Sequence, residues 1–376
     1  MTDSTAQAAQ QQPDVTIPLI DIRQGGPIDL VHQRKDQLNT IIRGIKRQFG
    51  ILSRVLLPPL YTVLDFLSRR WLKKTDNPYR GEIEKIAKAV GQKGLVAQNM
   101  AYEWSCCTTG VMKTPQTATP QLVRVMDWII PDMGKNIIVA HQSGKAGDFY
   151  NITWPGLSGV LNGVAKGRFA AAINQAPMRR HLMGNIVTDW IKNHVRMFKS
   201  KGLPPPHLLR KAFENAATYD EAKKMLMTEP VCMPVMFTLS GVNPGEGCVI
   251  ERLEDKAIVR EMKDDRAFVT NHFQSNLNGI GEGWMPRGFD NHARAEAALK
   301  ISPDDVGVGK GFDWFKAPIA NKFSVLAMVA DAKTGEFHLT GTDAEKIVTK
   351  DFRLPPDAEP QPVAAAKNPP PAPPAP

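Results

Sequence analysis

The feature that most constrains the fold is a change of texture at Ser105-Cys106-Cys107-Thr108-Thr109. Before it, apolar residues recur at helical spacing: Leu38, Ile41, Ile42, Ile45, Phe49, Leu52 and Leu56 follow one another along one face. Pro58-Pro59 must break that helix, because proline lacks the N–H and crowds the preceding turn. Leu60, Val63, Leu64, Leu67 and Trp71 start a second helix, and residues 82–90 a third. After Cys107 come short β-rich runs at 121–126, 136–141, 149–154 and 169–174. A helical block over 183–227 turns at Pro204-Pro205-Pro206. Strand runs return at 235–240, 248–253, 257–262 and 267–271, and a last hairpin turns at Lys333-Thr334-Gly335. Strands, helices and strands again predict an α+β layered fold with mostly antiparallel sheets.

The chain has 376 residues and a formal charge of +9. Residues 31–74 hold ten basic and two acidic residues, +8, which is nearly all of it. Two readings of this segment stand side by side. It packs on the core with a solvated basic face, or it forms an amphipathic pair that docks on an anionic membrane surface. On the second reading Ile41, Ile45, Phe49, Leu52, Leu56 and Trp71 face the membrane. No recognition motif accompanies the charge, so nucleic acid is not an expected partner. No apolar run is long enough for a membrane span, and the polar start does not read as a secretory signal. The expectation is a cytoplasmic or peripheral-membrane protein. Four cysteines are too few for a disulfide framework. No HExxH or paired CxxC occurs, so neither metal nor cofactor is expected. Gly279, Gly281 and Gly283 before Trp284 read as a loop, either a lid or a surface excursion. The organisation expected is a flexible 1–30, a helical 31–106, a catalytic 107–354 and a disordered proline-rich 355–376.

One ordered set of motifs carries more information than any single one. Asn77-Pro78-Tyr79-Arg80-Gly81-Glu82 is followed by Asn99-Met100-Ala101-Tyr102-Glu103, then Cys107-Thr108-Thr109, then Arg124-Val125-Met126-Asp127. Trp154-Pro155-Gly156 leads to Gly159-Val160-Leu161, Glu246-Gly247-Cys248-Val249-Ile250 follows, and Thr270-Asn271-His272 ends the set. This succession resembles the acid ceramidases and N-acylethanolamine-hydrolysing acid amidases, N-terminal-nucleophile cysteine hydrolases of the choloylglycine hydrolase superfamily.

The resemblance implies a four-layer αββα sandwich and a precursor that cuts itself between Cys106 and Cys107. Cys107 then becomes an N-terminal nucleophile, and the two pieces stay together as a heterodimer. A thiol of ordinary pKa about 8.5 is only partly ionised at neutral pH. A new α-amine, with pKa about 8, accepts its proton. The resemblance further implies that Asp127 holds the amine, that Arg124 supports the cysteine electrostatically and that Asn271 donates to the oxyanion. Asn162 is a second oxyanion candidate, and Arg294 the late arginine of the site, with Arg287 as its substitute. The expected activity is hydrolysis of a linear lipid amide of the N-acylethanolamine or ceramide type. Acyl transfer to an amine by the same acyl-enzyme is one alternative. A non-catalytic membrane-surface protein that kept the fold is the other.

Overall fold

The structure is a computed structural model. It describes residues 13–55, 57–100, 105–181, 184–275, 277, 283–284 and 290–355, with the side chains of 49–57 and 105 left undescribed. Tyr102, Glu103, Gly279, Gly281, Arg287, the proline-rich tail and the side chains of Phe49, Leu52 and Leu56 lie outside the described residues.

The chain opens with β1 (Leu19–Asp21) and five helices: α1 (Ile28–Gln33), α2 (Lys35–Val55), α3 (Leu57–Leu72), α4 (Arg80–Val90) and α5 (Leu95–Met100). Pro58 and Pro59 fall in the first turn of α3, where the missing N–H groups would have had no intrahelical partner anyway. A long hairpin follows, β2 (Ser105–Thr114) and β3 (Thr117–Trp128). Then come β4 (Ile138–Gly144), β5 (Gly147–Thr153), β6 (Asn162–Ala165) and β7 (Phe169–Gln175). The helical block resolves into α6 (Ile186–Lys199), α7 (Pro205–Asn215) and α8 (Tyr219–Thr228). It is followed by β8 (Val235–Ser240), β9 (Gly247–Arg252), β10 (Ala257–Glu261) and β11 (Arg266–Val269). Helix α9 (Asn291–Leu299) precedes the closing strands β12 (Ser324–Ala330), β13 (Phe337–Asp343), β14 (Lys346–Ile347) and β15 (Phe352–Leu354).

Two sheets result. One has the order β1-β4-β5-β6-β7-β8-β9-β10, and the other β11-β2-β3-β12-β13-β14 with β15 on β13. They stack face to face through β2 and β3 against β7 and β8. Helices α7 and α8 cover the outer face of the first sheet, and α9 covers that of the second. This is the αββα sandwich the resemblance implied. Its inner layer buries Cys107, Val111, Leu122, Met126, Ile173 and Phe237. The outer layer under α9 buries Val123, Val125 and Phe268 with Phe312 and Trp314. Gly110 is required there: it lies opposite Phe268, and an added Cβ would stand 2.2 Å from that ring.

The structure corrects two expectations. Residues 1–30 are not flexible throughout. Ile17, Ile20 and Ile22 are buried, and β1 adds a parallel edge strand beside β4. The second correction concerns the membrane-facing set. Ile41 is buried in the main core, Ile45 packs against it, and Trp71 is buried with its indole N–H on the Ser200 carbonyl at 2.8 Å. These three side chains hold the helices to the body. Most of the exposed large apolar residues among those described lie on α3 (Leu60, Val63, Phe66 and Leu67) and on α6 (Val187, Ile191 and Val195).

Candidate active site

Register on the β2–β3 hairpin sorts the site residues onto two faces. Cys107 lies opposite Met126 and Thr109 opposite Arg124, while Cys106 lies opposite Asp127. Successive side chains of a strand point to opposite faces. Cys107 and Arg124 therefore share the face between the sheets, and Cys106 shares the α9 face with Asp127.

On the inner face, Arg124 is fully buried and bridges the two sheets. Its Nε donates to Asn162 Oδ1 at 3.1 Å. Its Nη1 donates to Thr109 Oγ1 at 2.7 Å, to the Ile173 carbonyl at 2.8 Å and to Asn174 Oδ1 at 2.9 Å. Its Nη2 has no hydrogen-bond partner among the described residues. A buried guanidinium with one edge unsatisfied is costly.

On the outer face, Asp127 and Arg294 form a buried ion pair, Nη1 to Oδ2 at 3.1 Å. Ser324 donates its hydroxyl to the other Asp127 oxygen at 2.7 Å. Burial pushes the Asp127 carboxyl up, and Arg294 opposes that shift. Burial also raises the Cys106 thiol well above the ordinary thiol range, which keeps it neutral beside this pair.

Asn271 joins the two faces. The Cys107 backbone N–H donates to Asn271 Oδ1 at 2.9 Å, and Arg294 Nη2 donates to the same oxygen at 3.1 Å. Asn271 Nδ2 donates to the Gln175 carbonyl at 2.8 Å. Arg294 is further held by Asn291 Oδ1 at 2.6 Å. In the uncut chain the Cys107 nitrogen thus meets Asn271, and Arg294 links the same Asn271 oxygen to Asp127. Asn162 turns its oxygen to Arg124 and its amide N–H to the Ile152 carbonyl.

Asn174 was not anticipated. From β7 its Nδ2 donates to the carbonyls of Cys107 (3.2 Å), Val269 (3.2 Å) and Thr270 (2.8 Å), while its oxygen accepts from Arg124 and Thr109. The signal was available as one amide at the end of the buried run Phe169-Ala170-Ala171-Ala172-Ile173.

Trp284 is anchored rather than loose. It forms a bridge with Met178, and its indole N–H donates to Asp189 Oδ2 at 2.8 Å. A small crevice of about 40 Å³ is lined by Gln175, Met178, Met197, Cys232 and Met233 together with the polar Asn193, His194 and Glu254. No group of three or more His, Cys, Asp or Glu side chains among the described residues could hold a metal ion.

No family model matches the chain. Acid ceramidase from Pan troglodytes is 26% identical over 82% of this chain and 80% of its own length. Acid ceramidase from Heterocephalus glaber is 24% identical over 71% and 70% respectively. Among solved structures, the Caenorhabditis elegans orthologue of N-acylethanolamine-hydrolyzing acid amidase aligns with a TM-score of 0.47 and 19% identity, covering 60% of this chain and 92% of that one. The chain is thus similar to acid ceramidases along 82% of its length, and it folds as an αββα sandwich with a buried cysteine near the start of a central strand.

Proposed function

We propose that the chain is a self-processing cysteine amidase that hydrolyses a linear lipid amide, of the ceramide or N-acylethanolamine type, through an acyl-enzyme on Cys107. The similarity to acid ceramidases supports an amide-hydrolysing enzyme. The observation that carries the finer reading is the capture of the Cys107 nitrogen by Asn271 Oδ1 at 2.9 Å, beside the buried Arg124.

Processing starts from an amide nitrogen, which is no base. The Cys107 thiol attacks the Cys106 carbonyl carbon, the peptide C–N bond breaks, and the nitrogen leaves as an amine carrying the thiol proton. Water then hydrolyses the thioester, freeing the Cys106 carboxylate and the thiol. Asn271 Oδ1 accepts from the nitrogen before and after this step, so the amine's lone pair is aimed away from Asn271 and toward its own thiol. In turnover the amine takes the thiol proton and the thiolate attacks the substrate carbonyl. The unpaired Arg124 edge supplies charge on that face, and the second N–H of Asn271 Nδ2 is a donor for the oxyanion. The leaving amine takes the proton, and water releases the fatty acid.

Helices α3 and α6 meet through Trp71 and Phe198, and each carries exposed apolar residues together with exposed basic ones, Arg70 and Lys73 at the end of α3 and Lys192 and Lys199 on α6. We propose this two-helix face as the contact with an anionic membrane from which the lipid is taken. Among the described residues no helix is long and apolar enough to cross a membrane.

Intact-mass analysis of the purified chain tests the reading. Pieces of 106 and 270 residues are expected, the larger one beginning at Cys107. A lauroyl amide substrate should add one lauroyl group to the larger piece. Cys107→Ala should remain uncut and inactive. An uncut chain with full turnover would overturn the mechanism.

A further inference from the structure

The motifs around Asn77 and Asn99 take no part in the chemistry above, yet both are buried and wired into the catalytic half. Asn77 Oδ1 accepts the Tyr79 backbone N–H at 2.9 Å, which fixes the orientation of its amide. Its Nδ2 therefore faces His207 Nδ1 at 3.0 Å. An amide NH2 only donates, so Nδ1 accepts and Nε2 carries the ring proton. Nε2 lies 2.7 Å from Ser158 Oγ. The Ser158 hydroxyl proton must then turn to Asn99 Oδ1, at 2.9 Å, which also accepts the Ser158 backbone N–H at 2.8 Å. Asn99 Nδ2 finishes the chain on the carbonyls of Leu95 (3.1 Å) and Gly156 (2.9 Å). Every proton has one place, and the donors all run in one direction.

The end of this wire matters because of where it lands. Gly156 has φ +98°, a turn that β-carbon-bearing residues avoid. The chain beyond it passes Ser158 and Val160, whose N–H bonds the Pro206 carbonyl at 3.0 Å, and arrives at Asn162 on β6. Asn162 is the residue that accepts from Arg124 Nε. We infer that Asn77, His207, Ser158 and Asn99 are positioning residues of the active site, locking the N-terminal helices onto the 154–162 turn that delivers Asn162 to Arg124. On the self-processing reading proposed above, the same wire holds the 106-residue piece to the 270-residue piece after the cut.

The surroundings of His207 fit this role. From α4's side Tyr79 packs on its ring at 5.3 Å between centroids, and Glu82 pairs with Arg210 through Nη2–Oε2 at 3.1 Å. On its own helix Arg210 also donates to Glu214 at 2.8 Å and to the Ser158 carbonyl at 2.7 Å, and lies over the Tyr79 ring. Tyr79 donates its hydroxyl to Glu214 at 2.7 Å. From the 154–162 turn the neutral Ser158 hydroxyl faces the imidazole. Burial, with Arg210 adding repulsion, pushes His207 down to about 3. The wire therefore stays intact in acid, where an exposed histidine would be charged.

The test reverses that logic. Asn77→Asp keeps the shape but replaces the donor facing Nδ1 with a carboxylate. The ring then binds a proton, and the wire is complete only when His207 is charged. In the uncut Cys107→Ala chain, NMR of the His207 ring should show the Nε2–H tautomer with no titration from about pH 8 to pH 4. With Asn77→Asp added, a titration should enter that window. In the active enzyme, with a fluorogenic N-lauroyl arylamide, Asn77→Asp should lose kcat as pH rises through the new titration, a limb absent from the parent. Ser158→Ala should lower kcat roughly tenfold, the size of one stranded buried hydrogen bond. A His207 that titrates near neutrality in the parent would overturn the inference, as would an unaltered kcat in Ser158→Ala. The NMR arm uses an uncut chain, so its outcome does not depend on self-processing, and a failure of that reading is distinguishable from a failure of the wire.

Discussion

Arg294 and Asp127 form a fully buried ion pair on the α9 face, so their substitutions should not behave like those of surface charges. Removing one member of a buried pair strands the other, at about 3–5 kcal/mol. Asp127→Ala is therefore expected to lower the denaturant midpoint steeply, while Asp127→Asn, whose one amide oxygen can still accept from Arg294 while its NH2 donates to the Ser324 hydroxyl oxygen, should retain more than half of that stability. Equal losses in the two variants would show that the carboxylate charge, and not hydrogen-bond acceptance, is what holds Arg294. The cysteines allow a second prediction at this scale. All four are buried, Cys107 included. In the Cys107→Ala chain the other three should resist iodoacetamide until the fold is lost, whereas the processed enzyme should gain one rapidly alkylated thiol at Cys107. Rapid labelling of Cys232 or Cys248 in the native chain would contradict the packing. Cys107, Arg124, Asp127 and Asn271 come from the order of motifs and Arg294 from a stretch beyond it, and the fold brings these residues together. The contact between Asn271 and the Cys107 nitrogen was not legible, because it joins residues 164 apart in the chain. Asn174 belongs to no motif and was missed for that reason.

At the scale of elements, spacing located the helices of the first third but did not say which face each one buries. Helix α2 shows a strong apolar periodicity, and that regularity invited a membrane reading. The structure spends it on the core, through Ile41 and Ile45. Helix α3 carries apolar residues on two faces: Trp71 and Leu72 pack inward, while Val63 and Phe66 stand in solvent. Periodicity cannot rank two apolar faces, and the inward one is set by α6, a neighbour more than a hundred residues away whose Phe198 and C-terminal Ser200 receive Trp71, while Val63 and Phe66 of α3 and Ile191 of α6 stay in solvent. If that two-helix face meets lipid, Phe66→Asp combined with Ile191→Asp should weaken binding to phosphatidylserine-containing vesicles roughly tenfold or more, given about 1.5–3 kcal/mol for each apolar side chain buried. Processing, measured by intact mass, should be unaffected. Unchanged vesicle binding in the double variant would remove the face from the proposal.

For the whole molecule, the layer class followed from the succession of strands and helices, but strand order did not. β1 enters the sheet in parallel beside β4 across more than a hundred residues, and β6 is four residues long with no alternation to mark it. What joins these distant parts is in large measure polar and buried, and that gives the fold a definite response to acid. His207 binds its proton far less readily in the folded chain than in the unfolded one, about 3 against an ordinary 6.5. The sign follows from linkage. Above about pH 6.5 neither state is protonated and the full stability is present. As pH falls toward 3 the unfolded chain gains a proton that the folded chain refuses, so stability declines, by about 1.4 kcal/mol for each unit of separation in pKa at the limit. Urea midpoints of the Cys107→Ala chain should therefore drop progressively between about pH 6.5 and pH 4. His207→Gln retains a buried polar side chain without a titrating ring. Although less stable at neutral pH, it should show a visibly shallower decline across the same interval. If both proteins lose stability in parallel, the acid response belongs to the carboxylates around Arg210 and not to the imidazole they surround.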